Sequence, residues 1–156
     1  NICIDFGSKQ SERCSYSRSC KIIESGGLLF QSINKDSKDS LGYAETCDEI
    51  KVAVRCLSLD DLIAELDIVG QKIDLLKIDA QGAEFDILTG GQKALQNVQN
   101  ITLELNFFDV YSKKNTFLEI EELLPGFELF AITKLSQNPK NFRTDWAEVF
   151  YRKNTK

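Results

Sequence analysis

The stretch Ile73-Asp74-Leu75-Leu76-Lys77-Ile78-Asp79 constrains this chain more than any other. It is nearly continuously apolar and is followed at once by Ala80-Gln81-Gly82-Ala83-Glu84, a turn built around a glycine. A short run that is hydrophobic on both sides is what a parallel strand covered on two faces requires. Parallel strands cannot be joined by tight hairpins and need long, usually helical, crossovers. The run therefore predicts helical segments on both sides of it in the sequence.

Those segments are present. Ser58-Leu59-Asp60-Asp61 forms a capping box, in which Ser58 accepts from the first turn and Asp61 reaches back. Leu59, Leu62, Ile63, Leu66 and Val69 follow at helical spacing, and Gly70 stops the helix. After Glu84 comes an amphipathic stretch with Phe85, Leu88, Leu95 and Val98, broken at Gly90-Gly91. Ile101 to Phe107 alternates as a strand, Thr116 to Leu124 is helical up to Pro125-Gly126, and Phe127–Thr133 and Ala147–Arg152 are the last two strands. Ile50, Val52 and Val54 form a further half-buried strand upstream. The alternation gives an α/β fold: a Rossmann-like, mostly parallel sheet, with an antiparallel C-terminal hairpin at its edge. The chain divides near residue 50. Residues 1–49 read as short strands and loops of the same domain, rich in Ser, Lys, Asp and Gly, and 50–156 carry the regular α/β pattern.

Composition narrows the chemistry. The 156 residues include 24 acidic and 19 basic ones, a net charge of −5, which argues against a nucleic-acid or acidic-membrane partner because phosphate binding needs concentrated positive charge. No histidine is present, so a Ser-His-Asp triad, a Cys-His pair and a His-ligated metal are excluded. The five cysteines contain no Cys-x-x-Cys pair and read as free thiols in a reducing, cytoplasmic setting, with no metal. The longest apolar run is too short to span a membrane. Asn100-Ile101-Thr102 is formally a glycosylation sequon, but it opens an apolar strand and is discounted. Methionine is absent even at position 1, so Asn1 begins a processed product or a piece of a longer chain.

In an open parallel sheet ligands bind beyond the carboxyl ends of the strands. That rule selects Lys77 through Glu84, and Glu104-Leu105-Asn106. Lys77 and Asp79 share one strand face, and a lysine in so apolar a run needs a partner. Consecutive crossovers place their strands side by side, so a buried Lys77–Glu104 pair is expected, with Asp79 at the rim. Each carboxylate also has a plain structural reading: Glu84 as a first-turn acid favoured by the helix dipole, Asp79 as a strand-end cap, Glu104 as one half of an ion pair. Phe107, Phe108 and Tyr111 read as core and rim packing, and the loop from Gln137 to Arg143 as a connector or a substrate lid.

At these residues the sequence resembles a known family. Leu57-Ser58-Leu59-Asp60-Asp61-Leu62, then Ile73 through Glu84 with its Lys-x-Asp and Gly-x-Glu, then Leu88-Thr89-Gly90-Gly91 and Ile101-Thr102-Leu103-Glu104 resemble the second half of the FkbM methyltransferases, over about residues 50–152. The resemblance implies a Rossmann-like methyltransferase fold, S-adenosylmethionine as cofactor, and a sugar or secondary-metabolite hydroxyl as acceptor. It makes Asp79, Glu104 and Lys77 the catalytic candidates, with Asp79 first as general base or acceptor-orienting group, and Asp79, Gly82 and Glu84 the cofactor-binding ones. The family's donor loop, an apolar strand ending Asp-x-Gly-x-x-x-Gly, is met only at its start: Ile2-Cys3-Ile4-Asp5-Phe6-Gly7 fits, but Ser8 to Ser11 bring no second glycine. The expectation is that Asn1 lies inside the domain and the donor-binding half precedes it. Two rivals stand beside the enzyme: a non-catalytic α/β interaction domain that kept these motifs as structural pairs, and an unrelated doubly wound nucleotide or sugar-phosphate binder.

Overall fold

A computed structural model of the chain describes residues 2–6, 56–80, 82–107 and 116–154. The strand expected at Ile50–Val54, the islands before it, and Phe108 and Tyr111 lie outside the described residues. Five strands form one sheet in the order β1-β2-β3-β5-β4, with β1 at Cys3–Phe6, β2 at Leu75–Ile78, β3 at Asn100–Asn106, β4 at Phe127–Gln137 and β5 at Thr144–Lys153. The first three strands are parallel, whereas β5 runs antiparallel to both β3 and β4. The α/β class and the antiparallel C-terminal hairpin are as expected, but the described sheet is mixed, parallel on its β1–β3 side only, because β5 inserts antiparallel between β3 and β4.

β3 shows why the sheet has one fully closed face. Ile101, Leu103 and Leu105 are buried, while Asn100, Thr102, Glu104 and Asn106 are half-buried. Alternate side chains point to opposite faces. The buried set joins Ile4, Leu76, Ile78, Ala147, Val149 and Tyr151 in one cluster with residues of the helices: Leu59 and Ile63 of α1 (Leu59–Glu65), Leu88 of α2 (Glu84–Thr89), Ala94 and Leu95 of a 3₁₀ turn (Ala94–Asn97), and Ile120 of α3 (Phe117–Glu122). Burying a side chain of this size is worth about 1.5–3 kcal/mol. The opposite face carries Lys77, Thr102, Glu104, Asn106, Trp146, Glu148 and Phe150, all half-buried among the described residues. The run through β2 is thus closed on one side and only half-closed on the other, less symmetric than its apolar sequence suggests.

The motif residues knit this core. Ser58 Oγ accepts from Asp61 N at 3.1 Å and donates to the Asp61 carboxylate at 2.7 Å, so Asp61 reaches back to the Ser58 hydroxyl. Asp60 reaches across to accept from the backbone of Ala94 at 2.8 Å and Lys93 at 3.3 Å. The helix expected to run to Val69 ends at Glu65: Asp67 turns left-handed at φ 55 and Ile68 N–H bonds back to Ile63, leaving Val69 exposed. Thr116 and Glu119 make a full capping box on α3. Asn100 of the sequon donates its amide to the Asp74 carbonyl from within β3.

Gly91 marks the tightest approach. A Cβ built there falls 2.5 Å from Leu59 Cδ2, and Leu59 is buried. Gly91→Ala is expected to destabilise by about 1–3 kcal/mol, the usual cost of overpacking a filled core. A chemical denaturation midpoint unchanged from the parent would contradict this contact.

The hairpin is longer than its pattern suggests, and the loop between β4 and β5 shrinks to residues 138–143. Register shifts between Leu129 and Ala131 and between Ile132 and Lys134 break the alternation of β4 in sequence, which hid its full length. The loop is firmly tied. Buried Asn138 accepts at its side chain from Lys140 N, its carbonyl accepts from Phe142 N, and its N–H donates to the Arg143 carbonyl. Arg143 also pairs with Asp145 at 3.0 Å. Phe142 is held in the left-handed region at φ 59, which costs a bulky residue about 1–2 kcal/mol.

Among the described residues no helix is long and apolar enough to cross a membrane.

Candidate active site

The carboxyl ends of β2 and β3 meet at one rim of the sheet. Lys77 lies opposite Thr102, and Asp79 follows level with Glu104, which in turn faces Glu148 of β5. Lys77 therefore stands diagonally across from Glu104 on the same face, not directly opposite it. Lys77 sits two residues short of Glu104, because β3 is set further forward than simple adjacency suggested. Glu104 takes a hydrogen bond from the Asn106 amide at 3.2 Å.

Three charges of its own sign act on Glu104. Desolvation first, then the charges of Asp79, Glu84 and Glu148, push its proton affinity up to about 7, against the pull of the Asn106 hydrogen bond. A carboxylate with that value exchanges a proton readily near neutral pH. Glu148 was missed in sequence, although the alternation Trp146-Ala147-Glu148-Val149-Phe150 puts it on the same face as Trp146. Only the pairing of β5 with β3, rather than β4 with β3, brings it beside Glu104.

Glu84 stands in the first helical turn, as its spacing after Gly82 led one to expect. It is the first residue of α2, but its side chain is buried at 6% exposure and turns back into the β2–α2 loop. Its Oε1 accepts from Ala80 N at 3.0 Å and from Gly82 N at 3.3 Å. Burial raises its proton affinity, and these backbone donors oppose the rise. Gly82 stands at φ 97, a conformation glycine takes without a Cβ clash. So Gly82 and Glu84 together fix the path of the backbone that leaves Asp79 at the rim.

The rim continues on both sides. β1 lies parallel to β2 with Asp5 level with Lys77, so the Ile2–Phe6 segment takes the neighbouring place in the sheet. Residues 7–11, where the donor loop would turn, lie outside the described residues. On the other side Trp146 lies opposite Asn106, with Lys134 Nζ over its ring at 4.8 Å. Phe107 is 46% exposed and its N–H bonds to the Asp145 carbonyl. Among the described residues no cluster of three or more His, Cys, Asp or Glu is arranged to hold a metal ion. The rim groups suit a cationic ligand with hydroxyls: several carboxylates resist ionising together, and a positive charge among them relieves that repulsion.

Comparison with known proteins bears on this site. Residues 15–131 match the model for the methyltransferase FkbM domain. The match begins further upstream than residue 50 and stops within β4, so it contains Lys77, Asp79, Gly82, Glu84 and Glu104 but not Trp146 or Glu148. Over 80 residues the chain is 35% identical to the 2-O-methyltransferase NoeI of Sinorhizobium fredii (strain NBRC 101917 / NGR234), which covers 51% of this chain and 32% of that protein. The chain thus spans about a third of the length of this relative. No solved structure matches. With most of its length matched and the motif residues gathered at one rim, the chain belongs to the FkbM methyltransferase family.

Proposed function

We propose that this chain carries part of the active site of an S-adenosylmethionine-dependent methyltransferase that methylates a hydroxyl oxygen of a sugar or a related secondary metabolite. The name of the relative specifies 2-O transfer, and this reading brings the same kind of acceptor oxygen to the present chain. The observation that carries it is Glu104: a half-buried carboxylate at a parallel strand end, surrounded by acids and able to take up a proton near neutral pH. The donor, when bound, supplies an electrophilic methyl group on a cationic sulfur. Asp79 and the loop shaped by Gly82 and Glu84 would hold it, their negative charge suiting that cation. Glu104 then accepts the proton of the acceptor hydroxyl as general base, with Asn106 fixing the orientation of its carboxylate. This gives Glu104 the role that sequence reading assigned first to Asp79. Lys77, one step below on the same face, offsets part of the negative charge. Alignment of acceptor and donor supplies much of the remaining rate.

Calorimetry of the full-length protein with S-adenosylmethionine and with its demethylated product tests the donor half of this reading. Micromolar binding of both, together with methyl transfer to a saccharide, is expected. Absence of binding and of transfer would instead favour a non-catalytic α/β domain in which the same carboxylates act as structural groups.

A further inference from the structure

Phe142 has no folding reason for its position. It is 77% exposed, so its ring gains little from burial, and it holds the left-handed backbone conformation that glycine or asparagine adopts with least strain. The loop nevertheless fixes it there through three hydrogen bonds on buried Asn138 and the adjoining Arg143–Asp145 pair. Topology puts this loop at the functional rim. β4 runs in the same direction as β3, because both are antiparallel to β5 that lies between them. The tip that follows β4 therefore stands at the end of the sheet where β3 delivers Glu104 and Asn106. Phe107 and Trp146 lie at that end too, joined to the hairpin through Asp145 and through the register with Asn106.

We infer that the tip of the β4–β5 hairpin is the acceptor-selecting wall of the site, with Phe142 as a specificity residue that packs on the ring of a saccharide whose hydroxyls meet Glu104 and Asn106. Aromatic faces beside carboxylate and amide groups are the complement of a sugar, which has an apolar C–H face and a rim of hydroxyls. An exposed aromatic on a rigid turn also loses little conformational freedom on binding. The inference deepens the proposed function and rests on it for the identity of the reaction. It concerns residues beyond those matched by the family model, which end at 131.

The test uses the full-length protein with methyl hexopyranosides (gluco, galacto and manno) as acceptor probes. Binding is read by saturation-transfer NMR and turnover by methyl transfer. Phe142→Gly is expected to raise the acceptor KM about tenfold, the effect of losing one good ring contact, and to leave kcat and donor affinity unchanged. The same variant is expected to melt at a higher temperature, since glycine relieves the strained backbone. A residue kept for packing would lower the melting temperature instead. Phe142→Tyr retains the ring and restores the parent KM. An unchanged KM and unchanged sugar binding in Phe142→Gly, with the parent active, would overturn this inference and leave the methyltransferase reading standing. Weakened sugar binding in the variant without methyl transfer by the parent would support the wall and remove the reading of the reaction. A parent that neither binds nor methylates any of the probes would overturn both.

Discussion

Glu104→Gln is expected to lower methyl transfer by about 10²–10⁴-fold, the range lost when a positioned general base is removed, while the folded protein becomes more stable above neutral pH. The two effects come from one cause. In the fold the Glu104 carboxyl binds its proton up to about 7, against an ordinary value of 4.5, because it is desolvated and faces Asp79, Glu84 and Glu148. A group whose proton is held more tightly in the folded state favours folding while protonated. That advantage is lost as pH rises from the unfolded value towards the folded one. The parent should therefore lose stability between about pH 4.5 and 7 on account of this residue, and Glu104→Gln, which cannot ionise, should not. Discounted for solvent screening, the difference at pH 8 is about 1–2 kcal/mol, or roughly 2–6 °C in Tm for a chain of this size. Thermal melts of both proteins from pH 5 to 8 check it: the two curves should separate as pH rises. A gap that is constant with pH would mean that Glu104 does not carry the excess charge of the rim. In the active protein, kcat/KM should rise with pH through about 7 and level off, and this rise should vanish in Glu104→Gln.

Glu84 gives the second large effect, and here the conservative substitution decides the interpretation. Glu84→Ala leaves the N–H groups of Ala80 and Gly82 without their acceptor inside the protein. Each such loss costs about 1–3 kcal/mol, so about 2–6 kcal/mol in all is expected from urea unfolding. Glu84→Gln keeps an oxygen for both donors and should fall within about 1 kcal/mol of the parent. If Glu84 were only a first-turn acid favoured by the helix dipole, Ala and Gln would behave alike and both losses would be small. Because the loop it ties carries Asp79 to the rim, Glu84→Ala should also weaken donor binding more than Glu84→Gln does.

Much of the framework was legible in the chain. The apolar run before Asp79 announced a strand of a parallel sheet, the Ser58 cap and the helical stretch from Thr116 placed helix starts within a residue, and Gly90-Gly91 marked the break that Leu59 makes necessary. These are local matters of periodicity, capping hydrogen bonds and steric room, and short-range sequence records them. The end of α1 was not legible, because Leu66 and Val69 continue the helical spacing while Asp67 turns the backbone out of it. The full length of β4 was hidden by its bulges, which break the period that a strand is recognised by.

The site divides in the same way. The sequence by itself determined which groups are available: carboxylates, one lysine and an amide at strand ends, no histidine, and a glycine where the turn after β2 needs one. Tertiary structure decided what they do. That Glu104 lies among Asp79, Glu84 and Glu148 depends on the register between β2 and β3 and on β5, not β4, lying next to β3. Proton affinity depends on burial and on distances between charges, and strand register sets both. Register is a property of the assembled sheet. The same carboxylate in an unpaired strand would ionise as an ordinary acid, and it is the closed sheet that gives Glu104 a proton to exchange near neutral pH.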